Sequence, residues 1–511
     1  MTKESFVQEL IRFSSGIPGL DRVLDGGFFK GGVYLVEGVP GAGKTILANQ
    51  ICFHHAKNEG RALYVTLLAE SHSRLLQHLQ DLTFFDPDAI PDRLTYVSGF
   101  RVLEDEGLKG LMELLRKELR SHHATMVVLD GFAAVGESAD SDRAFKKLVH
   151  ELQIHAGLAK CTFFLLSSGI AESVLPVHTM VDGLVRLTDH TFGVKSEREL
   201  QIQKFRGSNY LRGVHTFGIS NRGIDVYPRI EAMRDVVADA CSVERLSTGI
   251  PELDVMLEGG LPCEATTMVL GPTGIGKTCL GYSFLGQSSD KEPGLLFSFY
   301  ETPTRATRKA AGIGVDFEAL VARNDLQILW QPPVESSLDA VGNRILEAVE
   351  RRGVRRLFID GFNALAQCAA YPERVPQFFA GFAQRLRTRG VSTVYAAELP
   401  DIFSPKIAPP VEGLSPLLES LIFMRFAEMD ARVRRVISVL KLRDSGFDSK
   451  LAEFRISGTG LRLHDSLSDA EGVLTGVAHV RTRGTLAKPA AKAKSRAPAG
   501  KTKGRAPTRR R

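Results

Sequence analysis

The sequence predicts two tandem α/β domains with mainly parallel sheets, followed by a disordered basic tail. Two observations predict the domains. The stretch GIPGLDRVLDGG (16–27) returns as GIPELDVMLEGG (249–260), and the offset of 233 residues holds without a gap through Lys44 and Lys277. Such register marks one unit used twice. Within each copy, continuous aliphatic and β-branched runs alternate with helix-compatible segments, as in a sheet buried on both faces by helices. A third observation sets the tail apart. Twelve Lys or Arg and no Asp or Glu lie in 481–511, so the chain's net charge of +6 becomes −6 for residues 1–480. Rich also in Ala, Pro and Gly, this segment has too little apolar surface to offset its ordering entropy. The expected division is 1–232, 233–470 and 471–511.

The elements follow one order in both copies. Phe6, Leu10 and Ile11 suggest one face of a short helix at the start. VYLVE (33–37) and TTMVL (266–270) are strands that lead into GVPGAGKT (38–45) and GPTGIGKT (271–278). ILANQICFHHA and CLGYSFLG then continue as helices. ALYVTLLAE and GLLFSFYE are buried strands ending in Glu70 and Glu301. Longer helical stretches lead to MVVLDGF with Asp130 and RLFIDGF with Asp360. CTFFLLSS and VSTVYAAE are fourth strands, ending at Ser168 and Glu398. Strand patterns continue through GLVRLTDH and ELQIQKFRG, and through SLIFMRF and RVISVLKLR. The boundary between copies falls in EAMRDVVADACSVE (231–244).

Composition narrows the setting. Hydrophobic residues make up 43% and charged residues 24% of the chain, ordinary for a globular protein. No run of about 18 apolar residues is present, so no transmembrane helix is expected. The start lacks a positive-then-apolar leader pattern. The six cysteines form no C-x-x-C pair and read as reduced thiols of a cytoplasmic protein.

The chemistry is carried by the two G-x-x-x-x-G-K-T loops, a specific signal when the loop follows a strand and opens a helix. The glycines let backbone N–H groups turn around phosphate oxygens, and the helix N-terminus adds positive partial charge. Gly38, Gly41, Ala42, Gly43, Lys44 and Thr45 form one ATP cradle. Gly271, Gly274, Ile275, Gly276, Lys277 and Thr278 form the other. The lysines are expected on the β- and γ-phosphates, and Thr45 and Thr278 on Mg²⁺. A tight loop with an incidental lysine is the alternative. Asp130 and Asp360, at apolar strand ends, stand where P-loop enzymes keep the acid on the metal side; the alternative is a helix or turn cap. Glu70 and Glu301 either polarise a water aimed at the γ-phosphate or are surface acids. Lys204 and Arg206 in KFRG, and Lys441 and Arg443 in KLRD, either reach a neighbour's phosphate in trans or form a solvated basic strand edge. Ser168 and Glu398 are polar loop starts.

These tandem GIPxLDxxLxGG…GxxGxGKT units, the DGF strand ends and KFRGSNYLRGVHTFGISNRGIDVYP (204–228) resemble the KaiC family, over about residues 10–465. The resemblance implies RecA-like P-loop NTPase domains and an ATPase that also phosphorylates itself on serine or threonine. It implies a double-ring homohexamer with ATP at the subunit interfaces in each ring, and signalling or timing through protein partners. Lys204, Arg206, Lys441 and Arg443 would then reach the γ-phosphate held by the adjacent subunit. The resemblance alone adds a γ-phosphate-sensing role for Ser168 and Glu398, beside that of polar loop starts. The second copy departs, with Asp444 where the family has Gly. The family's pair of adjacent glutamates is reduced here to Ala69-Glu70 and Tyr300-Glu301, so the catalytic role passes to Glu301 and Glu70. Ser415 matches the serine of the family's Ser-Thr phosphorylation pair, but Pro416 replaces the threonine and accepts no phosphate.

A second reading is a RecA-like DNA-associated ATPase, a recombinase or helicase relative. It needs a basic channel, and residues 1–480 are net negative. The tail AKPAAKAKSRAPAGKTKGRAPTRRR resembles those of histone-like proteins. It would bind nucleic acid non-specifically, solubilise the chain, or meet an acidic partner.

Overall fold

The computed structural model describes residues 10–58, 60–69, 72–169, 176–233, 244–334, 336–399, 411–429, 432–443, 445–466, 470–471 and 479–480. Each copy builds one nine-stranded sheet. In the first, Val33–Gly38 lies at the centre between Thr162–Ser168 and Gly183–Phe192, parallel to both. Met126–Asp130, Ala62–Thr66 and Leu94–Ser98 extend the parallel part on one side. On the other side Lys195–Phe205, Val214–Ser220 and Gly223–Tyr227 follow antiparallel. The second sheet repeats the plan around Thr266–Gly271, so both sheets are mainly parallel, as the sequence predicts.

The reason for the unbroken apolar runs lies in the two-sided core. Along Val33–Gly38, Val33 and Leu35 pack into one apolar cluster, while Tyr34 and Val36 pack into the other. Successive side chains alternate across a strand, so a sheet covered on both faces must be apolar at every position. In the second sheet Met268 and Leu270 face one core and Val269 the other.

The strands after each P-loop helix are shorter than expected. They end at Thr66 and Ser298, so Glu301 stands three residues past its strand, in the turn to the helix Pro303–Ala311. Glu70 lies outside the described residues. The short helix expected at the start is not seen at Leu10 and Ile11, which are exposed and lead into the strand Arg12–Phe13. Phe6 lies outside the described residues.

The two halves are joined by more than the linker. Ile230, at the end of the first half, is fully buried in a core cluster of the second. Arg374 of the second half pairs with Glu231 at 2.9 Å and with the buried Asp339 at 3.1 Å. The tip of the first sheet's long hairpin also docks on the second half: Lys195 donates to the Ser336 carbonyl at 2.6 Å, and Tyr371 donates to Glu199 at 3.0 Å. Of the tail, Glu471 and 479–480 are described: Ala470–Glu471 pairs antiparallel with His479–Val480. The tail residues 472–478 and 481–511, Cys241 and Asp444 lie outside the described residues. The five described cysteines are free thiols, and no described helix is long and apolar enough to cross a membrane.

Candidate functional site

Each P-loop joins the central strand of its sheet to a helix, Lys44–Lys57 in the first copy and Lys277–Leu285 in the second. Gly38 and Gly271 end the strands. Gly41 and Gly274 stand at the open crest, where an added Cβ meets nothing within 4 Å. At the helix entry Gly43 and Gly276 have φ of 96° and 123°. The backbone conformation requires glycine, and a Cβ there would also push aside the side-chain ends of Ile219, at 2.8 Å, and Ile456, at 2.6 Å. Ala42 and Ile275 are fully buried and anchor the loop by their side chains, and the Ala42 N–H donates to the Val39 carbonyl at 3.2 Å.

Lys44 donates to the carbonyls of Gly38 at 2.8 Å and Val39 at 3.0 Å. Lys277 donates to those of Gly271 and Pro272, both at 2.8 Å. Each ammonium is thus folded over its own loop, at the place where a triphosphate lies in a P-loop protein. Burial lowers the pKa of both lysines. Asp130 opposes the shift in the first, and Glu398 and Asp360 oppose it in the second.

Tertiary structure brings the expected metal-side partners together. Thr45 Oγ donates to Asp130 at 3.2 Å, and Thr278 Oγ lies 3.2 Å from both oxygens of Asp360. A hydroxyl and a carboxylate side by side are hard oxygen donors. They fit Mg²⁺, which is commonly held by one or two protein side chains together with phosphates and water. Among the described residues no group of three or more His, Cys, Asp or Glu forms a separate metal cage. Burial raises the Asp360 carboxyl to about 6, against the hydrogen bond from Thr278 and the charges of Lys277 and Lys309.

The basic residues late in each copy are not at their own P-loop. Lys204 lies opposite Leu184, and its neighbour Phe205 opposite Gly183, which in turn is level with Tyr34 near the start of the central strand. The P-loop leaves the other end of that strand. Lys204 donates to the carbonyls of His178 and Thr179, at 3.0 and 2.8 Å, and Arg206 donates to Thr179 at 2.8 Å. Lys441 is likewise level with Met268 near the start of its central strand. It donates to the Ser415 carbonyl at 2.7 Å, and Arg443 donates to that of Pro416. Ser415, exposed at the head of a short 3₁₀ turn, therefore shares an edge with Lys441 and Arg443.

Ser168 ends its strand opposite Gly38, and Glu398 accepts from Thr273 of the second P-loop. Two further residues at the sites escaped the sequence reading. Tyr64 donates to Asp130 at 2.7 Å, and Lys309 donates to Glu301. The repeat held the signal for both. Leu296 stands at the position of Tyr64 and His78 at that of Lys309, so each marks a place where the copies diverge beside otherwise matched acids.

The model of the KaiC ATPase family matches residues 13–231 and again 246–468. The chain is 27% identical over 478 residues to the circadian clock oscillator protein KaiC of Picosynechococcus sp., covering 90% of this chain and 91% of the relative. It is 28% identical to the KaiC of Thermostichus vulcanus, covering 92% of each. It is 26% identical to the circadian clock oscillator protein KaiC 1 of Synechocystis sp., covering 90% of each.

Proposed function

The chain belongs to the KaiC family of ATPases, and on that premise we propose that it acts in the cytoplasm as a homohexamer that hydrolyses ATP between subunits and transfers phosphate to Ser415. The observation that carries this reading is the distance of each basic pair from its own P-loop. Lys204 with Arg206, and Lys441 with Arg443, lie at the opposite end of the central strand from the loop of the same domain. Along a strand rising about 3.3 Å per residue, neither pair serves its own nucleotide. A second subunit that sets its P-loop against this edge gives both pairs a γ-phosphate to stabilise.

In this reading the loop N–H groups and Lys44 or Lys277 hold the triphosphate. Thr45 and Asp130, or Thr278 and Asp360, hold Mg²⁺, which neutralises charge on the β- and γ-oxygens. Glu301, and Glu70 in the first domain, accept the proton of the attacking water. Where the acceptor is Ser415 instead of water, its place beside Lys441 and Arg443 sets it next to the phosphate those residues contact. Pro416 leaves one phosphorylation position of the pair. Signalling through protein partners follows if a partner binds one nucleotide state more tightly than another. The twelve Lys and Arg of 481–511 support a non-specific tether to nucleic acid.

Intact-protein mass after incubation with Mg-ATP, alongside ATP turnover, tests the assignment. One added phosphate is expected, absent from Ser415→Ala and from Lys277→Ala. Turnover with no mass change would leave an ATPase and remove the kinase; phosphate retained in Ser415→Ala would move the acceptor elsewhere.

A further inference from the structure

The two carboxylate oxygens of Glu301 have different surroundings. Oε1 accepts from the ammonium of Lys309. Oε2 is buried and has no hydrogen-bond partner among the described residues. The contact follows from helix geometry. Glu301 stands just ahead of the helix Pro303–Ala311, and Lys309 lies in its last turn. Side chains on a helix tilt toward its N-terminus, so the lysine stem runs back along the helix to Glu301, two residues ahead of its start. Glu301 keeps 17% of its side chain exposed and Lys309 keeps 56%.

The pair faces the metal-side acid. Lys277 and Lys309 are the cations around Asp360, and Glu301 is the like charge. The first domain is arranged differently. There Tyr64 donates to Asp130, while the matching strand position in the second domain is Leu296. Glu70 and His78 keep the same eight-residue spacing as Glu301 and Lys309, with imidazole in place of ammonium. Lysine at this position is therefore a feature of the second site alone.

We propose that Lys309 is a positioning residue for ATP hydrolysis in the second domain: by holding Oε1 of Glu301 it keeps Oε2 turned inward as the acceptor for the attacking water's proton. The inference rests on the reading of Glu301 as the base. The water oxygen bonds to the γ-phosphorus, and its proton passes to Oε2. The bond from the γ-phosphorus to the bridging oxygen breaks with its electrons on ADP, and Oε2 later returns the proton to solvent. With the lysine half exposed to solvent, this ion pair adds little to folding. A large rate effect on breaking it would not arise from lost stability.

The test uses the full chain and takes second-site turnover as the part of ATP hydrolysis that Lys277→Ala removes. Lys309→Ala is expected to lower that part by up to about a hundredfold, as a small displacement of a reacting group can, with KM and the affinity for a fluorescent ADP unchanged. Lys309→Arg should restore most of it. In a Glu301→Gln background, which should itself remove second-site turnover, Lys309→Ala should change nothing further. A wild-type rate in Lys309→Ala, or a loss carried by KM or by ADP affinity, overturns the inference while leaving Glu301 as the base. Full turnover in Glu301→Gln overturns the base assignment and this inference with it.

Discussion

Burial holds the Asp360 carboxyl at about 6, above the roughly 3.9 of an aspartate in an unfolded chain. The folded state therefore binds this proton more tightly than the unfolded state. Its contribution to stability is present at low pH, falls as pH rises through about 4 to 6, and stays lost above. The difference between the two values corresponds to roughly 3 kcal/mol. In protein free of metal and nucleotide, Asp360→Asn is expected to melt above wild type at pH 7.5, with the advantage shrinking toward pH 4. Mg²⁺-dependent turnover at the second site should be lost in the same variant. Scanning calorimetry in chelator at both pH values checks this, and an equal difference at the two would contradict it. The site thus keeps an acid that destabilises the empty fold at neutral pH, in a position suited to a cation.

At the scale of elements, the P-loop helix must lie close against its sheet so that its N-terminus meets the end of the central strand. In the second domain that approach depends on Gly281, where an added Cβ would fall 2.1 Å from the ring of the buried Phe358. In the first domain the same two positions hold Ala48 and Val128, a larger helix residue over a smaller strand residue. At this helix–sheet contact the two copies carry exchanged volumes. Gly281→Ala gains helix propensity of about 1 kcal/mol but overpacks the core against the Phe358 ring, so a net loss of about 1–2 kcal/mol is expected. Combined with Phe358→Val, it should cost less than the two single losses added, a coupling that urea denaturation of the four proteins measures. A Gly281→Ala chain as stable as wild type would show that the helix can move outward.

For the whole molecule, the charge division is the main lever. Residues 1–480 carry net −6 and the last segment carries twelve cations without an acid. Duplex DNA binding by the full chain is expected to be weak, to fall steeply with salt, and to vanish in a chain ending after Val480, while ATP turnover persists. Binding that survives the truncation would place the contact on the domains and favour a nucleic-acid motor. The domains themselves are tied through Ile230 in the second core, the Arg374 pairs and the docked hairpin tip. A strand that carries Lys204 near one end and Lys195 near the other thus links the first domain's basic edge to the second domain.

The sequence by itself determined the duplication, the fold class, and the loops that turn at Gly43 and Gly276, because these rest on local signals: a fixed offset, unbroken apolar runs, and glycines that no other residue replaces. It also placed Asp130 and Asp360 at strand ends. Only tertiary structure decided what meets what. Thr45 reaches Asp130 across 85 residues of chain and Thr278 reaches Asp360 across 82, because parallel strands with crossover helices bring distant strand ends to one edge. The same topology set Lys204, Arg206, Lys441 and Arg443 at the edge away from their own loops, where spacing alone allowed either a finger or a solvated strand. The apolar run places Glu301 at a strand end, but it lies beyond it, because the strand stops at Ser298 and the chain turns to begin a helix. Its partner Lys309 belongs to that helix, and an amphipathic period does not tell which exposed lysine folds back over the helix start. Distances between side chains depend on where the backbone turns, and that is fixed by packing against the whole sheet.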